Sequence, residues 1–267
     1  MISICLCSWN DLDYLKILIP GIKRNTKIKH EIIVHDNGST DGTEAWLIEN
    51  NIKHTKSAQN EGVAAVNYAV SQAIYPYIVD INADMYPLPG WDLSILKQIN
   101  KFTSERIDKF TISSCLIEPV GNNSEYTIAY HGHDAQTFNE ESLMQDFLLN
   151  GKTKFKKSNT TQYSHPITMS KKLWDSFGGV DMSYKYGIGS DHDIAASAYN
   201  AGCRNFIMLG DSRLYHFVSK TIKKLPSDRP SGHEHFFEKW KVTIDSFREN
   251  LKIAKTYESV KDGIING

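Results

Sequence analysis

The chain has 267 residues, 40% of them hydrophobic and 23% charged, with a formal net charge of -1. That is the make-up of an ordinary globular protein, long enough for one large domain or two small ones, and it excludes a general attraction to nucleic acid or to an anionic membrane. Four cysteines with no C-x-x-C spacing exclude a disulfide scaffold, no run approaches the roughly 18 apolar residues of a membrane span, and the apolar N-terminus lacks the basic flank of a signal peptide.

Residues 2–7 read as a first strand that stops at Ser8-Trp9-Asn10-Asp11, followed by Leu12, Leu15, Leu18, Ile19 and Ile22 at helical spacing. Glu31–His35 reads as a second strand, ending in Asp36-Asn37-Gly38-Ser39-Thr40-Asp41-Gly42-Thr43, with Thr43 or Asp41 able to cap a helix from Glu44. Ile52–Thr55 is a weak third strand, the loop Asn60-Glu61-Gly62 leads into a helix over 63–73, and residues 76–82 form a fourth strand. Tyr86-Pro87-Leu88-Pro89-Gly90 is a breaker cluster that ends any strand there. Alternating strands and helices predict a parallel sheet covered on both faces, whose ligands bind at the carboxyl ends of the strands. Ser8, Asp36, Asn82 and Asp84 all fall at those ends.

The second half is less regular. The pattern predicts a helix from Trp91 to about Asn100, a strand over Phe110–Ile117, long loops with a short helix near 141–149 across 118–165, and a helix over Lys171–Phe177. Asp191-His192-Asp193 opens a helix to about Asn200; Asn205–Leu209 and Arg213–Val218 read as two strands, 219–235 as a mobile loop, and Phe236 to about Tyr257 as a final helix. His131-Gly132-His133-Asp134 lacks the further ligands a tetrahedral metal site needs and reads as an acceptor-side loop. Asp80 reads as a separate acid inside its strand, facing away from Ile81.

Residues 2–90 resemble the nucleotide-binding half of a family 2 glycosyltransferase with the GT-A fold. The stretches that carry the likeness are the first strand into Ser8-Trp9-Asn10, then Ile32–Thr43, Asn60-Glu61-Gly62 with Asn67, and Asn82-Ala83-Asp84 with Pro87 and Gly90. Phe177-Gly178-Gly179-Val180-Asp181, Asp191-His192-Asp193-Ile194 with Gly202, His216, and Phe236–Trp240 continue it in the family's order. The resemblance implies one GT-A domain over 1–267, with a Rossmann-like mixed, mainly parallel sheet flanked by helices. Its nucleotide-sugar half is 1–90, its acceptor half 91–218, and its mobile loop and C-terminal helix 219–267.

The same resemblance implies inverting transfer of a sugar from a nucleotide diphosphate sugar, UDP-sugars favoured, to a hydroxyl of a glycan, glycolipid or protein acceptor. It places Asp191 as the general base, with Asp193 the competing assignment, and Ser8, Asn10, Asp36, Asn60, Gly62, Asn82 and Ala83 around the nucleotide. Asp84 and His216 would hold Mn2+ or Mg2+, and Lys220 and Thr221 would close on the diphosphate. Asn82 stands where the family's Asp-x-Asp has its first acid, and Ser190 where a Glu usually precedes the base. Those two departures keep open an inactive nucleotide-sugar or glycan-binding module. A sugar nucleotidyltransferase would want a Gly-rich basic loop after the first strand, where this chain has Ser8-Trp9-Asn10-Asp11-Leu12. The expected location is cytoplasmic, compatible with peripheral docking on a membrane.

Overall fold

The computed structural model describes residues 1–121, 126–151, 153–155, 157–184, 187–218 and 232–254, with Ile253 and Ala254 as backbone alone. Strands β1 (Ile2–Ser8), β2 (His30–Asn37), β3 (Lys53–Ser57) and β4 (Tyr77–Asp80) are parallel and ordered β3-β2-β1-β4. Between them run helices α1 (Leu12–Asn25), α2 (Thr43–Glu49) and α3 (Val66–Ser71), the last entered through a single 3-10 turn at Val63–Ala65. The alternation of side chains along each strand divides the core. Ile4, Leu6, Val34 and Val79 pack with Leu15, Leu18 and Ile22 of α1, while Cys5, Ile33 and Ile78 turn to the other layer with Ala69 and Val70 of α3.

Beyond β4 the sheet becomes mixed. Strand β5 (Met85–Pro87), helix α4 (Trp91–Ser104), β6 (Phe110–Glu118) and the two-residue β7 (Thr127–Ile128) follow in the chain. Helix α5 (Glu140–Asn150), β8 (Ile167–Ser170), α6 (Lys171–Phe177), α7 (Ser190–Asn200) and β9 (Asn205–His216) come next. β8 lies antiparallel between β4 and β6, β9 runs parallel to β6, and β5 pairs antiparallel with the end of β9. The expected mixed, mainly parallel sheet flanked by helices is therefore present.

Several expectations are corrected. Met85–Pro87 is a strand and not a breaker: Pro87 sits on the outermost strand, where its missing N–H costs no ladder bond. Residues 82–84 consequently form a tight link between two strands. The two strands expected over 205–218 are one strand, with a register shift opposite Ser114/Cys115 that absorbs the polar Gly210-Asp211 step. Residues 232–235, expected in a loop, begin α8 (Gly232–Trp240), and the expected single C-terminal helix is broken by Lys241 at φ +57° before α9 (Ile244–Ala254). Strand β8 carried no recognisable sequence signal; only four residues long, it is defined by the neighbours on both sides.

Candidate active site

The carboxyl ends of β1, β2 and β4 open into a cleft of ≈ 320 Å³. It is lined by Trp9 and Asp11 after β1, Asn37 of β2, Asn60 and Gly62, the run Asp80–Asp84, then His165, Asp191 and His216 from the second half. Thus Asn60, Gly62, Asn82, Ala83, Asp84, Asp191 and His216, from positions as far apart in the chain as 60 and 216, share one wall-to-wall space. Ser8, Asn10 and Asp36 do not line it. They stand just behind, where Asp36 Oδ1 accepts the Ser39 N–H at 3.0 Å and Asn10 Oδ1 accepts that of Thr40 at 2.8 Å, stitching the loops after β1 and β2 together. The Ser8 hydroxyl is buried without a hydrogen-bond partner among the described residues. Lys220 and Thr221 lie outside the described residues.

The Asp84–His216 corner is built by the β5–β9 pairing. Met85 stands opposite His216, and Phe217 N–H donates to the Asp84 carbonyl at 3.0 Å, so the two side chains face each other across the strand ends. His216 Nε2 lies 3.7 Å from Asp84 Oδ1, and its Nδ1 is held 2.9 Å from Glu118 Oε1. Burial opposes a charge on His216, yet Asp84 and Glu118 outweigh it and raise its pKa. An imidazole anchored through one nitrogen to a carboxylate, with the other aimed at a second carboxylate, is the arrangement that orients a metal-ligating His. Among the described residues no three His, Cys, Asp or Glu side chains cluster tightly enough to cage an ion by themselves. An Asp and a His with open positions instead suit a cation that keeps substrate phosphate oxygens as its remaining ligands.

Asp191 occupies the first turn of α7, whose N-cap is Gly189 in the left-handed conformation, so capping is not the job of Asp191. Its side chain is 33% exposed, faces the cleft, and its Oδ1 is 3.8 Å from His192 Nε2. Asp193 is fully buried and turned away, bonded by Trp240 Nε1 at 2.7 Å and Lys239 Nζ at 2.8 Å. On the opposite wall Asn37 organises the loop into α3. Its Nδ2 donates to the Gly62 carbonyl and Asn60 Oδ1, while its Oδ1 accepts from Glu61 N and Ser57 Oγ. Asn67 clamps the backbone of Val180 through both amide atoms, drawing the Gly178-Gly179 turn against α3. Cys7 touches the cleft, but burial first, and Asp80 and Asp11 next, push its thiol far up, so it stays protonated and is no nucleophile.

Three cleft residues are not among those the sequence singles out, Asp11, Asn37 as an organiser and His165; a fourth, Glu118, does not line the cleft but holds His216. Against the expectation that Asp80 faces away from Ile81 inside the strand, both line the cleft, because β4 ends at Asp80 and strict alternation ends with it. Glu118 and His165 have no local motif; each is brought in by a strand pairing that is non-local in the chain.

Residues 3–111 match the family model described as glycosyl transferase family 2. The matched segment carries β1–β4 and the Asn82–Asp84 tip, the stretch over which the motifs resemble that family. Solved structures show the fold of the rest. S. aureus TarS 1-349 in complex with UDP is 17% identical at a TM-score of 0.56, over 80% of this chain and 59% of that one. The same TarS fragment with UDP-GlcNAc is 16% identical at 0.60, over 94% and 66%. GalNAc-T7 with UDP, GalNAc and Mn2+ is 13% identical at 0.66, over 93% and 49%. The chain thus spans about half to two thirds of the length of these three structures. No characterised protein matches it by sequence. The fold is GT-A, as the motifs led one to expect.

Proposed function

We propose that the protein is an inverting, metal-dependent glycosyltransferase that moves a sugar from a nucleotide diphosphate sugar, UDP-sugars favoured, to an acceptor hydroxyl on a glycan, glycolipid or protein. The observation that carries this reading is the composition of the cleft. Four carboxylates (Asp11, Asp80, Asp84, Asp191) and two imidazoles line it, with no Lys or Arg among the described residues, so a diphosphate entering there needs a cation. Asp84 and His216 would hold that cation, which when bound neutralises the departing diphosphate. The matched family segment and the nucleotide bound to the TarS and GalNAc-T7 structures favour a nucleoside diphosphate as its companion.

Asn60 and Gly62 would border the nucleoside, with Ser8, Asn10 and Asp36 supporting it from behind. Asn82 and Ala83 would flank the ribose and diphosphate. Asp191 would take the proton of the acceptor hydroxyl as its oxygen attacks the anomeric carbon, while the bond from that carbon to the diphosphate oxygen breaks on the opposite side. A single displacement of this kind inverts the anomeric centre. A positioned base of this sort is typically worth ~10²–10⁴ in rate. We place the protein in the cytoplasm, in keeping with four free cysteines; none of the described helices is long and apolar enough to cross a membrane.

The test is release of nucleoside diphosphate from UDP-, GDP- and dTDP-sugars with Mn2+ or Mg2+; no release from any of them sinks the reading. Asp84→Ala is expected to abolish metal-dependent turnover and Asn82→Ala only to weaken it; equal losses would overturn the asymmetry between the two. The neutral Asn82 also keeps alive an inactive nucleotide-sugar-binding module, which would bind UDP but turn nothing over, leaving Asp191→Asn without a turnover to lose.

A further inference from the structure

One Asp–His pair in the cleft belongs neither to the Asp84–His216 corner nor to Asp191. Asp80, the last residue of β4, is buried, and its Oδ2 lies 3.1 Å from His165 Nε2. β8 runs antiparallel to β4 with Ile167 opposite Asp80, so His165, two residues earlier, folds over the strand end and lines the same cleft. The two side chains are only 6% and 16% exposed. Stability does not account for such a pair, because replacing a buried ion pair by apolar residues of similar volume is often neutral or stabilising. A perturbed imidazole hydrogen-bonded to a carboxylate in a cleft points to function instead. Burial opposes a proton on His165, but Asp80 first, then Asp191 and Asp84, outweigh it and raise its pKa. His165 thus lines the same cleft as Asp191, Asp84 and His216 and feels the charge of the first two.

We propose that Asp80 and His165 form the donor-sugar reader of this cleft, taking hydroxyls of a neutral transferred sugar and turning away donors whose sugar carries a carboxylate. The inference rests on the glycosyltransferase reading above and deepens it. Asp80 occupies Nε2 of His165 and leaves Nδ1 for a ligand, while the carboxylate keeps further acceptor capacity; together they match a hydroxyl, which both donates and accepts. Exclusion follows from charge. A uronate would add its carboxylate to a space already lined by four, with no Lys or Arg among the described residues to receive it.

Equilibrium binding of UDP, UDP-glucose, UDP-N-acetylglucosamine and UDP-glucuronate in the presence of Mn2+ tests this with wild type, His165→Ala and the isosteric Asp80→Asn. The wild type is expected to bind at least one neutral UDP-sugar ten-fold or more tighter than UDP-glucuronate. Both variants are expected to lose about ten-fold for that neutral sugar nucleotide, the worth of a hydrogen bond of ~1.4 kcal/mol, while UDP itself stays within about two-fold. Retained UDP binding also reports that the fold is intact; should His165→Ala fail to fold, Asp80→Asn decides alone. Equal losses for UDP and UDP-sugar, unchanged sugar-nucleotide binding in the variants, or UDP-glucuronate bound as well as the neutral sugars would each overturn the inference while leaving the transferase reading standing. A wild type that binds no nucleoside diphosphate brings down both.

Discussion

Glu118 shows how much a single side chain can matter without touching a substrate. Its Oε1 holds Nδ1 of His216 at 2.9 Å, and removing it frees the ring to turn away from Asp84. Outer partners of this kind typically cost about 10–100-fold in metal affinity when lost. Glu118→Ala should therefore raise the Mn2+ concentration for half-maximal turnover by that factor, whereas Glu118→Gln, whose carbonyl still accepts, should keep most of it. Gly179 is the second such residue. Its φ of +76° suits glycine, and an added Cβ would run into Asn67 Oδ1 and the Trp174 indole nitrogen. Gly179→Ala should destabilise by about 1–3 kcal/mol, seen as a lower denaturation midpoint at unchanged slope. None of Glu118, His165 and Asn37 was legible as a site residue, since a polar residue in or beside a strand looks the same whether it faces solvent or a cleft. Asp84, Asp191 and His216, which line the cleft, stand out in the sequence because each matches a motif of the family it resembles.

Among the elements, α8 is tied to α7 and to Asp181 through Lys239. Lys239 Nζ reaches Asp181 at 2.6 Å and Asp193 of α7 at 2.8 Å, with Trp240 bonded to Asp193 beside it. Burial alone would raise the Asp181 pKa, but Lys239 and the Ser183 hydrogen bonds outweigh it and lower it from 3.8 to about 2. A carboxylate depressed in this way stabilises the fold fully above its unfolded pKa of 3.8 and loses that contribution as pH falls toward 2. Lys239→Met should thus lower the melting temperature at pH 6, and its gap to wild type should narrow between pH 4 and pH 2; a constant gap would remove Asp181 from the account. The helices around α8 also show where the sequence misleads. The apolar spacing runs on through 236–251, and only the positive φ at Lys241, a residue with no turn signature, breaks it in two. Strands β5 and β8 were hidden for a related reason: at three and four residues they are too short for a period, and pairing alone makes them strands.

For the molecule as a whole, ligand and stability are linked. If nucleotide and cation occupy the cleft together, UDP with Mn2+ should raise the melting temperature more than the two separate shifts combined, and a chelator should remove the surplus. At a hundred times its dissociation constant a ligand adds about 2.7 kcal/mol. The general architecture was readable from composition and alternation, because β1–β4 follow the regular strand–helix rhythm; the insertion of β8 between β4 and β6 was not. That insertion has a consequence for how the protein is made. The segment that matches the family model ends at residue 111, yet the neighbour that closes β4 begins at Ile167. On a ribosome adding about 5–20 residues per second, β4 waits on the order of ten seconds with an apolar edge unpaired. A gene cut at the boundary of the matched segment would prolong that wait indefinitely. Its product would keep the Asn82–Asp84 tip, lose Asp191 and His216, and be expected in the insoluble fraction.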